Sequence, residues 1–188
     1  MITIGAPPEH TLDQPIGLLG DCHRRIERFL DTLIRVTEVI GSGTLTPEAR
    51  NALETALQYF RDAGPMHTED EEESLFPRLR AMAGGAGESA AKAAHAMSIV
   101  ERLQADHEKA DKRHLAIDAI GKRWLEAGTL PPDEVQQLQS ELRDLRQFYT
   151  AHLAAEDDEL FPLSESLLPQ TQLDEMGREM AARRAKKQ

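Results

Sequence analysis

Apolar residues recur along most of this 188-residue chain at steps of three and four, the spacing that lines one face of an α-helix. From Pro15, a favourable first-turn residue, the stripe Ile16, Leu19, Ile26, Leu30, Leu33, Val36 and Ile40 predicts a helix that Gly41-Ser42-Gly43 ends. A second helix begins near Thr46-Pro47-Glu48, with Thr46 as its cap, and carries Leu53, Leu57 and Phe60 on to His67 and Glu71. Gly64-Pro65 falls inside it. Proline brings no N–H to the ladder and crowds the preceding turn, so the expectation there is a kink and not an end. Leu75-Phe76-Pro77 closes the segment, and Gly84-Gly85-Ala86-Gly87 reads as a loop.

A third helix, about Glu88 to Ala127, uses Met97, Val100, Leu103, Ala110, Ile117 and Trp124 before Gly128-Thr129-Leu130-Pro131-Pro132 breaks it. The fourth, about Pro132 to Leu163, uses Val135, Leu138, Leu142, Leu145 and Tyr149. Residues 1–14, with Gly5, Pro7 and Pro8 and no periodicity, read as an irregular lead-in to a helical domain over 15–168. In the last stretch, 169–188, Leu173, Met176 and Met180 predict a short amphipathic helix from Leu173 to Arg184, and Arg183-Arg184-Ala185-Lys186-Lys187 reads as a solvated tail.

Composition agrees with an all-α bundle of one domain: only 4% of residues are aromatic, and good helix formers are plentiful. A net charge of -11 argues against nucleic acid as a partner, since phosphate binding needs a basic surface. Cys22 is the single cysteine, which excludes an internal disulfide framework. No apolar run approaches the roughly 18–20 residues of a membrane span, and the N-terminus lacks a basic-then-apolar leader pattern. The expectation is a cytoplasmic protein.

Histidine changes the picture. Each long helix places one on its apolar stripe: His23, His67, His107 and His152. Two of them open the same skeleton, His67-x-x-x-Glu71-x-x-x-Leu75-Phe76-Pro77 and His152-x-x-x-Glu156-x-x-x-Leu160-Phe161-Pro162. Residues four apart stack on one helix face, about 6 Å along the axis, so each copy points an imidazole and a carboxylate the same way. One such pair alone reads as a surface ion pair worth a few tenths of a kcal/mol. The second copy, with the same trailing Leu-Phe-Pro, turns the reading inward. Burying four imidazoles and two carboxylates without partners would cost several kcal/mol, and metal ions supply partners. No thiolate stripe favours a zinc-sulfur site, and six nitrogen and oxygen ligands exceed the needs of one tetrahedral zinc. Two iron or manganese ions bridged by Glu71 and Glu156 fit the set best.

Other polar residues have plainer readings. His114 shares the stripe of His107 two turns away, about 10 Å, too far to join it on one ion but placed for orienting a ligand or relaying a proton. Asp111 is a candidate for the same work; Asp106 and Glu108 read first as a solvated helix face. His95, off the stripe, and His10, in the lead-in, read as exposed. Cys22 points about 100° from His23 and reads as small buried filler.

With these residues in view, the chain from about Leu12 onward resembles the hemerythrin-like, histidine-histidine-glutamate cation-binding family. The resemblance implies an antiparallel four-helix bundle with a non-haem di-iron centre near one end, manganese being the less expected metal. His23, His67, His107 and His152 would be terminal ligands and Glu71 and Glu156 bridging carboxylates, with an oxo, hydroxo or water bridge completing the pair. Oxygen-carrying hemerythrins have two histidines four apart on the third helix, whereas Asp111 stands four residues after His107. The four-histidine, two-glutamate pattern is closer to the bacterial iron-centre repair proteins that protect against nitric oxide, although the amino-terminal cysteine-bearing domain of those proteins is not expected here. The resemblance thus implies a di-iron protein that binds or reacts with oxygen, peroxide or nitric oxide in stress or iron handling, with an external redox or protein partner. The alternatives are an iron or oxygen sensor or reservoir acting through a partner, and a metal-free structural bundle. Whether it is an enzyme stays open at this point.

Overall fold

The computed structural model describes residues 9–186. They form α1 (Pro15–Ile40), α2 (Pro47–Asp70), a π-helical turn over Glu71–Leu75, α3 (Phe76–Ala83), α4 (Glu88–Ala127), α5 (Pro132–Ala155), a second π-helical turn over Glu156–Leu160, α6 (Phe161–Leu167) and α7 (Gln170–Lys186). The all-α class that the stripes predict is what forms, with no strand among the described residues. Residues 1–8 of the predicted lead-in, and Lys187 of the predicted tail, lie outside the described residues; 9–14 are turns and bends.

α2 runs through Pro65 unbroken, as the expectation of a kink without an end requires. The predicted fourth helix, by contrast, does not reach Leu163 in one register. It gives way after Ala155 to a π turn, as α2 does after Asp70. In both places proline is the second residue of the helix that follows, Pro77 in α3 and Pro162 in α6. In α register the pyrrolidine ring presses on the carbonyl four residues back and offers it no N–H. The ladder widens instead: the N–H of Phe76 bonds the carbonyl of Glu71, and that of Phe161 the carbonyl of Glu156, each five residues back.

The described chain divides into two compact units, the first drawn from the residues up to Arg25, Pro65–Asp106 and those from His152 on, the second from Ile26–Gly64 and His107–Ala151. In the second, Leu30, Leu33, Leu53, Leu57, Ile117 and Trp124 are fully buried. Gly121 lets α4 close on α2, because a Cβ there would stand 2.5 Å from a methyl of Leu57. Gly128, at φ +77°, makes the left-handed turn after α4 and accepts a 2.8 Å hydrogen bond from the Leu45 N–H.

In the first unit Leu19, Leu75, Phe76, Leu103, Leu160 and Phe161 pack with Met176 and Met180 of α7. α7 is therefore part of a core and longer than predicted; Ala185 and Lys186 are exposed as expected, but Arg183 and Arg184 are not part of a solvated tail. Arg183 and Arg184 turn inward to Asp70, whose carboxylate is fully buried and would otherwise lack a counter-charge. His10 differs from expectation in the same way. Its backbone N–H and its Nδ1 meet the buried Asp21 carboxylate at 2.8 and 3.0 Å, which leaves the ring half-buried.

Candidate metal centre

Five of the six sequence-predicted ligands converge within the first unit. α1 supplies His23; the last turn of α2 supplies His67 and the π turn that follows supplies Glu71; the last turn of α5 supplies His152 and the second π turn Glu156. All five are buried, and both carboxylates have no exposed surface at all. Each Glu opens its π turn, so the change of register falls just where a carboxylate has to face a histidine on the preceding turn.

Glu156 stands at the middle of the group. One oxygen lies 3.2 Å from Nε2 of His23, the other 3.2 Å from Nε2 of His152. Nε2 of His67 lies 3.5 Å from Glu71, and the His23 and His67 rings meet edge to face at 4.9 Å. One ligand atom from each of His23, His67, Glu71 and Glu156 falls within 4.8 Å of all the others. Phe161, the aromatic of the second Leu-Phe-Pro, stacks on His23 at 5.2 Å and covers it.

Electrostatics follow from that packing. Burial by itself pushes the His23 imidazole down, but hydrogen bonds to Asp157 and Glu156, with the charges of Glu156 and Glu71, outweigh it and raise it to about 10. Burial likewise pushes Glu156 up, and the hydrogen bonds from His152 and His23 overcome it, holding the carboxyl well below the usual range. Without a cation, a protonated His23 is the counter-charge to the Glu156 carboxylate.

Two acids behind the histidines complete the arrangement. Asp157 accepts a 2.8 Å hydrogen bond from Nδ1 of His23, so the proton sits on the outer nitrogen and Nε2 is turned inward. Asp106, expected on a solvated face, instead lies 4.0 Å from Nδ1 of His152 and is mostly buried. The role of Asp157 escapes sequence reading because an acidic residue beside Glu156 looks like more of the solvated acid run.

The remaining candidates are placed as follows. His107 is buried on α4 and belongs to the second unit. So does His114, whose Nε2 shares a 2.7 Å hydrogen bond with the Tyr149 hydroxyl while the ring stacks on Phe60 at 4.6 Å. Burial pushes that imidazole down to about 4. Asp111 is exposed. His95 and Glu108 are exposed as expected. Cys22 is buried filler with the Arg25 guanidinium 3.0 Å from its sulfur; burial pushes the thiol up in spite of that charge, away from reactivity.

The donor set fits a hard or borderline cation such as iron. It joins carboxylate oxygens to imidazole nitrogens, the outer nitrogen of His23 being held by Asp157, with no thiolate among them. An all-α bundle with such a cluster defines a class of metal-binding helical proteins. Residues 14–164 match the model of the hemerythrin HHE cation-binding domain, and the chain belongs to that family. It is also similar to an uncharacterised protein of Haemophilus influenzae, at 27% identity over 95% of this chain and 94% of that one. Family and cluster together make this a metal-binding protein, of a family whose cation is typically iron. No helix among the described residues is long and apolar enough to cross a membrane.

Proposed function

We propose that His23, His67, Glu71, His152 and Glu156, with His107, hold two iron ions, and that the centre binds or reacts with a small oxidant: oxygen, peroxide or nitric oxide. The observation that carries the reading is the fully buried pair of carboxylates set among inward-turned imidazoles, a charge arrangement that a cation completes. His107 enters on its place in the sequence pattern and its burial. Bound iron would supply a one-electron couple and positions for a small ligand.

The chain's own residues do the rest. Glu71 and Glu156 offset the cation charge, Asp157 holds His23 in the tautomer with Nε2 free to bind, and Phe161 on His23 keeps water from one side of the cluster. A role in oxidative or nitrosative stress, or in iron handling, is the setting this chemistry suits.

The test is metal content after purification without chelator, then optical spectra before and after dithionite, peroxide and nitric oxide. About two irons per chain and a near-ultraviolet band that bleaches on reduction are expected, with peroxide or nitric oxide consumed over many turnovers. Tight reversible binding without turnover would replace the reactive reading with a sensor or reservoir. Protein that takes up no ferrous iron anaerobically would end the metal reading.

A further inference from the structure

The two copies of the internal repeat agree at the ligands and at Leu-Phe-Pro, and they differ at three positions that share one environment. Asp70, Ser74 and Arg78 of the first copy correspond to Ala155, Glu159 and Leu163 of the second. All three first-copy residues take contacts from α7, which lies beyond the stretch that matches the family model. Arg183 donates from Nε to Asp70 Oδ1 at 2.8 Å and from Nη2 to Ser74 Oγ at 2.5 Å. Arg184 donates to Asp70 Oδ2 at 2.8 Å. Arg78 donates to the Ser74 carbonyl at 2.7 Å and is itself gripped by both oxygens of Glu179 at 2.9 Å.

These contacts bracket one short element. Asp70 immediately precedes Glu71, and Ser74 is the fourth residue of the π turn that Glu71 opens. A π turn departs from the common α register and can be held in place by contacts from outside. Asp70 and Ser74 have no exposed surface, so water cannot do that holding. Charge-assisted bonds from a planar guanidinium are the stiffest available to such a buried carboxylate, and here two converge on one acid.

Resting on the reading of Glu71 as a ligand, we infer that α7 is a working part of the metal centre: Arg183 and Arg184, through Asp70 and Ser74, are positioning residues that set the π turn and so the direction of the Glu71 carboxylate. A helix that served only to cover apolar surface would need Met176 and Met180 and no buried ion network. Among the described residues the second π turn has no such network, its aligned positions being Ala155 and Glu159, so the control that α7 exerts acts on one carboxylate of the pair.

The experiment compares Arg183→Gln, the charge-balanced Asp70→Asn/Arg183→Gln double variant, and Met180→Ala in the full chain. Each is titrated with cobalt(II) and with ferrous iron under anaerobic conditions; the visible cobalt spectrum and the thermal midpoint are also recorded. Met180→Ala loosens α7 without touching the ions and should lower the midpoint while leaving affinity and spectrum as in the native protein. The double variant removes the buried negative charge together with one of its counter-charges and should fold. It and Arg183→Gln should bind metal ten- to a hundredfold more weakly, with a shifted cobalt spectrum. Native affinity and spectrum in the double variant would overturn the inference and leave α7 as an apolar cover. Absence of metal binding by the native protein would overturn the centre itself, and the inference with it.

Discussion

Asp157 reaches the buried His23 from a side chain that is 46% exposed, so a single hydrogen bond at 2.8 Å separates the proposed centre from solvent on that side. Its work is to hold the Nδ1 proton in place. Asp157→Ala should weaken metal binding about tenfold, and Asp157→Asn, whose amide oxygen still accepts the bond, distinctly less; competition titration against a chromophoric chelator measures both. His114 makes the opposite kind of prediction. Its folded imidazole is pushed down to about 4 against an ordinary 6.5, so between those values the unfolded chain binds the extra proton. Its contribution is fully present above pH 6.5 and is lost as pH falls toward 4, on the order of 3 kcal/mol in all. His114→Gln keeps a hydrogen-bond partner for the Tyr149 hydroxyl and should unfold with a flatter dependence over that window, read from denaturant melts at a series of pH values. The histidines and glutamates of the candidate site were legible because helical stripes expose any polar residue that takes a core position. Asp157, Asp106 and Asp70 were not legible, because an acid that serves another side chain has no periodic signature.

Among the elements, the π turns decide whether ligands and anchors point inward together. In each copy the Glu opens the turn and Leu-Phe follows within it and just after, with Leu75, Phe76 and Leu160 fully buried and Phe161 nearly so. Removing one residue from a π turn returns the ladder to α register and rotates everything beyond it by about 100° relative to everything before. Deletion of the exposed Glu73 therefore forces a choice between keeping Leu75 and Phe76 buried and keeping His67 and Glu71 in place. Burial of the Leu-Phe pair stabilises by about 3–6 kcal/mol, whereas the metal-free ligands are costly to bury, so the anchors should win. The deletion variant should keep its helical circular dichroism and lose metal uptake. Retained stoichiometric binding would show that the register does not matter. Helix starts and stops were readable from Pro15, Thr46, Gly41 and Gly128. The repeated Leu-Phe-Pro was visible too, but the wide turn it follows depends on how the backbone accommodates proline next to a packed Leu-Phe, which no residue spacing displays.

At the scale of the molecule, the question is how much of its stability the metal supplies. The all-α class was readable from the stripes because a bundle's helices are specified locally, whereas the folding back of α7 onto Asp70 depends on contacts more than a hundred residues apart in the chain. The apo protein has a way to survive: at neutral pH His23, raised to about 10, is protonated and offsets Glu156, so the cluster is not a set of bare buried charges. That offset is fully present below the ordinary imidazole value of 6.5 and fades as pH rises through 10. Chelated protein should therefore remain helical at pH 7 and melt earlier than the loaded form. At a free metal concentration a hundredfold above Kd the linkage is about 2.7 kcal/mol, which for a chain of this size corresponds to roughly 5–10 °C. The deficit should widen at pH 9, where the proton that stands in for the metal is leaving. Thermal melts of loaded and chelated protein at pH 7 and pH 9 measure it directly. Equal midpoints at both values would mean that the buried carboxylates are satisfied by the protein alone, and would return the molecule to the class of structural helical bundles.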